Sequence, residues 1–236
     1  MGRDDLFERY YETHYSIQTR VDQQKYDSEL LRLEGFMPKI IGTNKDVRIL
    51  ELACGNGYVL NYLKHQGFRN FLGVDFSHEA VELCRQYVTD RVLEADVWDF
   101  LNMEIEKQNR YDVIIMFDSL FHFERKEVPQ LFKMCHAILN PGGLFAVKLM
   151  NMGNLTATQL LYSDITILTG FTPSLVEHMF RLAGFCHIEF DDQKPERWKS
   201  RLKYYGEKMM HRFIYWLART DCPPVISRKF IAIGKK

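Results

Sequence analysis

Residues Ile49 to Leu60 read ILELACGNGYVL. An apolar run ends near an acid, passes into a glycine-bearing turn, and continues into residues with helical spacing. Strand, glycine turn and helix in that order make a ligand-binding unit in several enzyme classes, because the turn presents backbone N–H groups at the start of the helix. The run VRILEL is a buried strand and GYVLNYLKHQ the helix after it.

The same alternation extends downstream. NFLGVD is a second strand, and SHEAVELCRQYV is a helix that Ser77 opens as N-cap. RVLEAD is a third strand. YDVIIMFD is a fourth, apolar enough to be buried on both faces of a parallel sheet. A helix around VPQLFKMCHAIL, a turn at NPGG and a fifth strand, LFAVKLM, follow. Asn151 to Thr172 then forms a connection of about twenty residues, long for a compact domain. TPSLVEHMFRLAGF is a helix with Pro173 in its first turn and Gly184 at its stop. CHIEF and KFIAIG are closing strands, and Arg197 to Arg219 is helical despite Gly206. The pattern predicts an α/β fold with a mostly parallel sheet and helices on both faces.

Composition narrows the class. The 236 residues carry 31 Lys plus Arg against 31 Asp plus Glu, which argues against a general nucleic-acid binder. Apolar residues make up 46 %, enough for a packed core. The cysteines at 54, 84, 135, 186 and 222 are scattered, odd in number and without a CxxC pair. Neither a disulfide framework nor a zinc site is expected, and a reducing cytoplasm fits best. The charged, aromatic start is not a signal peptide, and Leu6 argues against myristoylation at Gly2. No apolar run approaches a membrane span.

The glycine loop and its neighbouring acids select among ligands. A dinucleotide fingerprint places glycines as G-x-G-x-x-G, with an acid near the end of the second strand. Gly55 and Gly57 are present, but Leu60 stands at the third position. Asp75 ends the second strand, where it can bond ribose hydroxyls. Glu51, just ahead of the loop, would repel a pyrophosphate and suits an ammonium group. Asp96, after the third strand, can accept from an exocyclic amine. Three acids at successive strand ends fit a ligand with an amine, a ribose and an adenine but no phosphate, which is the inventory of S-adenosylmethionine.

The ordered set of motifs resembles the class I S-adenosylmethionine-dependent methyltransferases. Glu51-Leu-Ala-Cys-Gly55-Asn-Gly57 is similar to that family's first motif, with Ala53 in place of its first glycine and Tyr58 in place of its last. GVDFS, EADVWDF, YDVIIMFDSLFHF, LNPGGLFAVK and LVEHMFRLAGF follow in the family's order. The resemblance implies a Rossmann-like sheet of seven strands with one antiparallel strand, KFIAIG. It implies that Glu51 and the backbone of Ala53, Cys54, Gly55 and Gly57 hold the methionine end of the cofactor. Asp75 would bond the ribose, Phe76 flank the adenine, and Asp96 and the Val97 backbone meet the adenine edge. Phe117 and Asp118 would lie beside the amine and the reacting methyl. S-adenosylhomocysteine would be the product, and no metal is expected.

The acceptor is read from what lies downstream. A hydroxyl acceptor wants a base, and His122, on the loop after the fourth strand, has the right chemistry near neutral pH. KLMNMGN and YSDITILTGFTP resemble methyltransferases of bacterial surface-polysaccharide biosynthesis. Lys148, Asn151 and Tyr162 fall on the matching positions, as do Asp164, Thr166, Phe171, Thr172 and Pro173. Ile167 and Leu168 stand where that pattern has His and Glu. This favours O-methylation of a sugar, free, nucleotide-linked or in a glycan. N-methylation of a small amine or amino sugar, and an inactive binding module, stay open beside it.

Two flanks complete the expectations. Residues 1–46 read as lid helices before a core at 47–190, with Tyr10, Tyr11, His14 and Tyr15 available to enclose the methyl or stack on a sugar. Residues 191–236 close one domain of 1–236. Within them, Arg197 to Arg219 holds seven Lys or Arg against Glu207 alone, interleaved with aromatic and Met residues. That segment is either a helix with a solvated basic face or a surface for an anionic glycan, a nucleotide-sugar diphosphate or a membrane interface.

Overall fold

The computed structural model describes residues 23–192 and 198–236. Among these, seven strands form one sheet in the order β3-β2-β1-β4-β5-β7-β6. The strands are β1 (Ile49–Leu52), β2 (Phe71–Asp75), β3 (Val92–Glu94), β4 (Tyr111–Phe117), β5 (Leu139–Met150), β6 (His187–Asp191) and β7 (Lys229–Lys235). β1 pairs in parallel with β2 and β4, β2 pairs in parallel with β3, and β6 and β7 are antiparallel. The described residues fall in two compact units. One contains the chain up to Phe117, Met134–Phe145 and Lys236; the other contains Asp118–Lys133 and Ala146–Lys235.

The first unit is built around β1, buried at all four positions, as expected for a central parallel strand. Helices α1 (Gln23–Glu34), α2 (Met37–Ile41), α3 (Tyr58–His65), α4 (His78–Tyr87) and α5 (Val97–Glu106) surround it. Ser77 caps α4 by accepting from the Ala80 N–H, as its position predicts. Asp96 starts α5 by accepting from the Trp98 N–H at 2.7 Å. The strand order reverses between β1 and β4, so the edge beyond their carboxyl ends is the switch point where open α/β sheets take ligands.

NPGG does not stand apart as a turn. It belongs to β5, which begins at Leu139. Gly142 donates to the Lys236 carbonyl at 3.1 Å and Lys236 donates to that of Gly143 at 2.9 Å, so the chain end extends the strand through this segment.

The second unit holds α7 (Ala157–Leu161), α8 (Pro173–Ala183) and α9 (Trp198–Leu217), with β6 and β7. α6 (Val128–Ala137) is divided between the units. The long connection after β5 is therefore not structureless: it holds α7 and a parallel bridge between Asn151 and Phe171. α8 starts and stops where the sequence predicts, with Thr172 accepting from the Leu175 N–H and Gly184 at φ 98°. Gly206 does not interrupt α9, and a Cβ there would meet nothing within 4 Å. Among the described residues no helix is long and apolar enough to cross a membrane.

Candidate active site

The strand register brings the three acids to one sheet edge. Leu52 pairs with Val74 and Asp75 with Glu94, so Glu51, Asp75 and Asp96 follow one another at the carboxyl ends of β1, β2 and β3. The loop between β1 and α3 turns by left-handed backbone at Ala53 (φ 54°), Gly55 (φ 51°) and Gly57 (φ 78°). Gly57 also permits close packing, since a Cβ there would lie 2.4 Å from Cys84 Sγ.

Asp75 organises this loop. Its Oδ2 accepts from the Gly55 N–H at 2.7 Å, and its Oδ1 accepts from the Ser77 N–H at 2.9 Å. Burial pushes its carboxyl up, and these backbone donors pull it down. Glu51 is buried, and its Oε2 has no hydrogen-bond partner among the described residues. Burial raises its carboxyl well above the usual range, the Asp75 carboxylate adds to that, and the Leu60 backbone opposes both. A buried carboxylate oxygen without a donor is costly, and a ligand ammonium is the complementary group. Burial likewise holds the Cys54 thiol neutral, far above a reactive range. Phe76 is half exposed directly after Asp75, Asp96 is exposed with Oδ1 engaged as the cap, and Val97 is buried.

One loop contact had no sequence signal. The Tyr26 hydroxyl of α1 donates to the Asn56 carbonyl at 2.8 Å, and its ring lies 5.1 Å from that of Tyr58. α1 thus fastens the glycine loop from outside the βαβ unit. Phe36 meets Phe117 edge-on at 5.8 Å. The residues earlier in the chain, Tyr10, Tyr11, His14 and Tyr15, lie outside the described residues.

The same unit has a concavity of about 320 Å³ at the opposite ends of the strands. Arg48, Arg69 and Arg91 line it together with Tyr111. Three guanidinium groups there would repel a sulfonium ligand, so charge separates it from the acid-lined edge.

The second unit holds the other candidates. Asp118, with φ 53°, accepts from Lys148 Nζ at 2.6 Å and from Lys229 Nζ at 2.8 Å. Burial would raise its carboxyl, but the two ammonium groups hold it down to about 2. The sequence places Lys148 among the substrate candidates; in the structure its ammonium meets Asp118, and Lys229 joins from the first position of β7. Asn151, assigned to the substrate as well, is fully buried. Its Nδ2 donates to the Val225 and Ser227 carbonyls, and its Oδ1 accepts from the Gly153 N–H. Tyr162 is exposed.

His122 ends a 3-10 turn, Leu120–His122. Its Nδ1 lies 3.0 Å from the Thr166 carbonyl. A carbonyl only accepts, so this nitrogen carries a proton, and in the neutral ring the basic lone pair is on Nε2. Thr166 is itself set by Asp164, whose Oδ1 accepts from both its N–H and its hydroxyl. Leu168 and Thr169 donate to the Phe121 carbonyl, and the Thr169 hydroxyl donates to that of Phe123. The segment around Ile167 and Leu168 therefore holds the histidine turn in place. Among the described residues no group of three or more His, Cys, Asp or Glu is placed to hold a metal ion.

Comparison with known proteins agrees with the loop and sheet. Residues 49–143 match a family model described as a methyltransferase domain. The chain is 32 % identical over 127 residues to EEF1A lysine methyltransferase 2 of Danio rerio, covering 50 % of this chain and 53 % of that protein. It is 25 % identical over 124 residues to a ubiquinone biosynthesis O-methyltransferase of Rickettsia felis, covering 51 % and 50 %. The matches thus span about half the length of these curated relatives. A SAM-dependent methyltransferase from Archaeoglobus fulgidus superposes with a TM-score of 0.68 over 99 % of both chains at 16 % identity. The chain therefore has the Rossmann-like fold of S-adenosylmethionine-dependent methyltransferases, and its methyltransferase-domain match begins at the strand that leads into the acid-flanked glycine loop.

Proposed function

We propose that this protein transfers a methyl group from S-adenosylmethionine to a hydroxyl of a small polar acceptor, a sugar being the first choice. The observation that carries the cofactor assignment is the buried, unpartnered Oε2 of Glu51 beside the glycine loop. The cofactor supplies a methyl already activated by its sulfonium. The chain supplies placement: Glu51 takes the ammonium, the backbone from Ala53 to Gly57 receives the methionine end, and Asp75 and Asp96 take the ribose and the adenine amine.

On the acceptor side His122 is the base. The Thr166 carbonyl keeps the proton on Nδ1, so Nε2 takes the hydroxyl proton as the oxygen attacks the methyl. A sugar acceptor is supported by the resemblance at Tyr162, Asp164, Thr166 and Phe171-Thr172-Pro173 to polysaccharide methyltransferases. The relative named as a lysine methyltransferase supports a second reading, an amine acceptor, which needs alignment more than a base.

The deciding experiment is an acceptor screen over nucleotide sugars, glycan fragments and amines, read as S-adenosylhomocysteine release. His122→Ala is then assayed on the acceptor found. Turnover should fall about 100-fold or more with cofactor affinity unchanged. Turnover near that of the parent protein places the base elsewhere and favours an amine. Failure of the parent protein to bind S-adenosylmethionine in calorimetry removes the whole reading.

A further inference from the structure

Among the described residues, the hydrogen bonds that fix α9 to its unit come from one face. The Tyr204 hydroxyl donates to Asp192, the Leu155 N–H donates to His211 Nε2 at 3.0 Å, and the Tyr215 hydroxyl donates to the Gly153 carbonyl at 2.9 Å. Tyr204 and His211 are its buried residues. The opposite face carries Trp198, Leu202, Met209, Phe213 and Trp216, spaced by four, seven, four and three residues, which is one stripe of a helix. These side chains are exposed: Trp198 and Trp216 by 71 % each, and Met209 by 73 %. The Phe213 and Trp216 rings stack on each other at 5.9 Å.

Charge identifies what such a face meets. Arg201 and Arg212 run along one side of the stripe at helical spacing, and Lys199 and Lys203 along the other, all exposed. The acid of α9, Glu207, is on the inner side, where it accepts from Asn154. An apolar ridge between two cationic rails repels a second copy of itself. Its ridge also carries no carboxylate or amide to accept from the hydroxyls of a glycan chain. It does match a bilayer surface rich in anionic headgroups: the rails meet phosphate, the ridge enters the acyl boundary, and the tryptophans at either end sit at headgroup level. The charges on α9 keep it from crossing the bilayer.

We infer that the outer face of α9 docks the protein onto anionic phospholipid membranes, lying in the interface plane. The inference is independent of the acceptor and of cofactor binding.

The full chain is mixed with vesicles of phosphatidylcholine alone and of phosphatidylcholine with phosphatidylglycerol, then sedimented. Association is expected with the anionic vesicles only, with a blue shift of tryptophan emission and weakening by salt. Met209→Glu with Phe213→Glu should abolish it. Arg201→Gln with Arg212→Gln should lower the partition coefficient about thirty-fold, from the contribution of each basic side chain near an anionic surface. Circular dichroism and cofactor calorimetry should be unchanged in both variants, because all four side chains are exposed. Absence of binding to the anionic vesicles overturns the inference, as does binding that survives the double Glu variant. So does a dimer of the parent protein that the double Glu variant dissociates, since that assigns the face to a second copy.

Discussion

The hydroxyl of Tyr26 donates to the carbonyl oxygen of Asn56 at 2.8 Å, tying α1 to the middle of the glycine loop thirty residues later. Both residues are buried. The bond lies between the two left-handed glycines, so it holds the loop's curvature directly. Tyr26→Phe keeps the ring contacts and removes only the donor. Stability should fall by about 1 kcal/mol, and affinity for S-adenosylmethionine by a few-fold, through a loop that must now be ordered on binding. Calorimetry with the free and liganded protein checks both; an unchanged affinity would show that the loop holds its shape without α1.

Glu51 should report the cofactor by its proton. Its folded-state pKa lies above the unfolded value, so stability is fully present below about 4.5 and declines as the pH rises and the buried carboxylate must ionise. A ligand ammonium reverses this by favouring the ionised form. Binding should therefore release protons, and affinity should rise with pH while Glu51 titrates. Calorimetry in buffers of different ionisation heat measures the release directly. Glu51→Gln should melt higher than the parent at neutral pH, bind about 10- to 100-fold more weakly, and release no proton. A variant that binds as tightly as the parent would sink the ammonium assignment.

The two loop glycines should differ in their tolerance of alanine. Both have positive φ, so each substitution carries a backbone cost of about 1 kcal/mol. A Cβ on Gly55 meets nothing within 4 Å, whereas one on Gly57 lies 2.4 Å from Cys84 Sγ. Gly57→Ala should therefore destabilise by roughly 1–3 kcal/mol more than Gly55→Ala. Adding Cys84→Ala should recover part of the loss at Gly57 and none at Gly55. Denaturant midpoints of the four variants test this, and equal losses would show that backbone strain alone matters.

Asp118 should control acid stability of the second unit. Its folded-state pKa, about 2, lies below the unfolded 3.8, so its contribution is present at neutral pH and is lost as the pH falls from about 4 to 2. Asp118→Asn removes the shared partner of Lys148 and Lys229 and should cost on the order of 2 kcal/mol at pH 7. The difference from the parent should shrink to under about 0.5 kcal/mol by pH 2 and vanish below it. Lys229→Met should cost under about 1 kcal/mol, because that lysine is half exposed. Melting curves across pH measure all three.

Local patterns carried the fold a long way. The apolar runs at β1, β2 and β4, the Ser77 cap, and the Pro173 start and Gly184 stop of α8 all depend on a residue and its near neighbours. The three acids could be aligned because strand ends in a parallel sheet share an edge. NPGG misled because Gly and Pro signal a turn locally, while the chain end that draws those residues into β5 arrives ninety-odd positions later. The contacts that Asn151 makes with Ser227 and Lys148 with Asp118 were not legible locally for the same reason: the partners are distant in sequence.

By itself, then, the sequence determined the strand and helix order, the glycine loop with its acids, and the histidine after β4. Each is encoded in a short window where side-chain periodicity or backbone freedom acts. The tertiary structure alone decided that Tyr26 fastens the loop, that Lys229 joins Lys148 on Asp118, and that the Thr166 carbonyl sets the tautomer of His122. Those are long-range pairings of polar groups, and burial selects them only once the chain has closed.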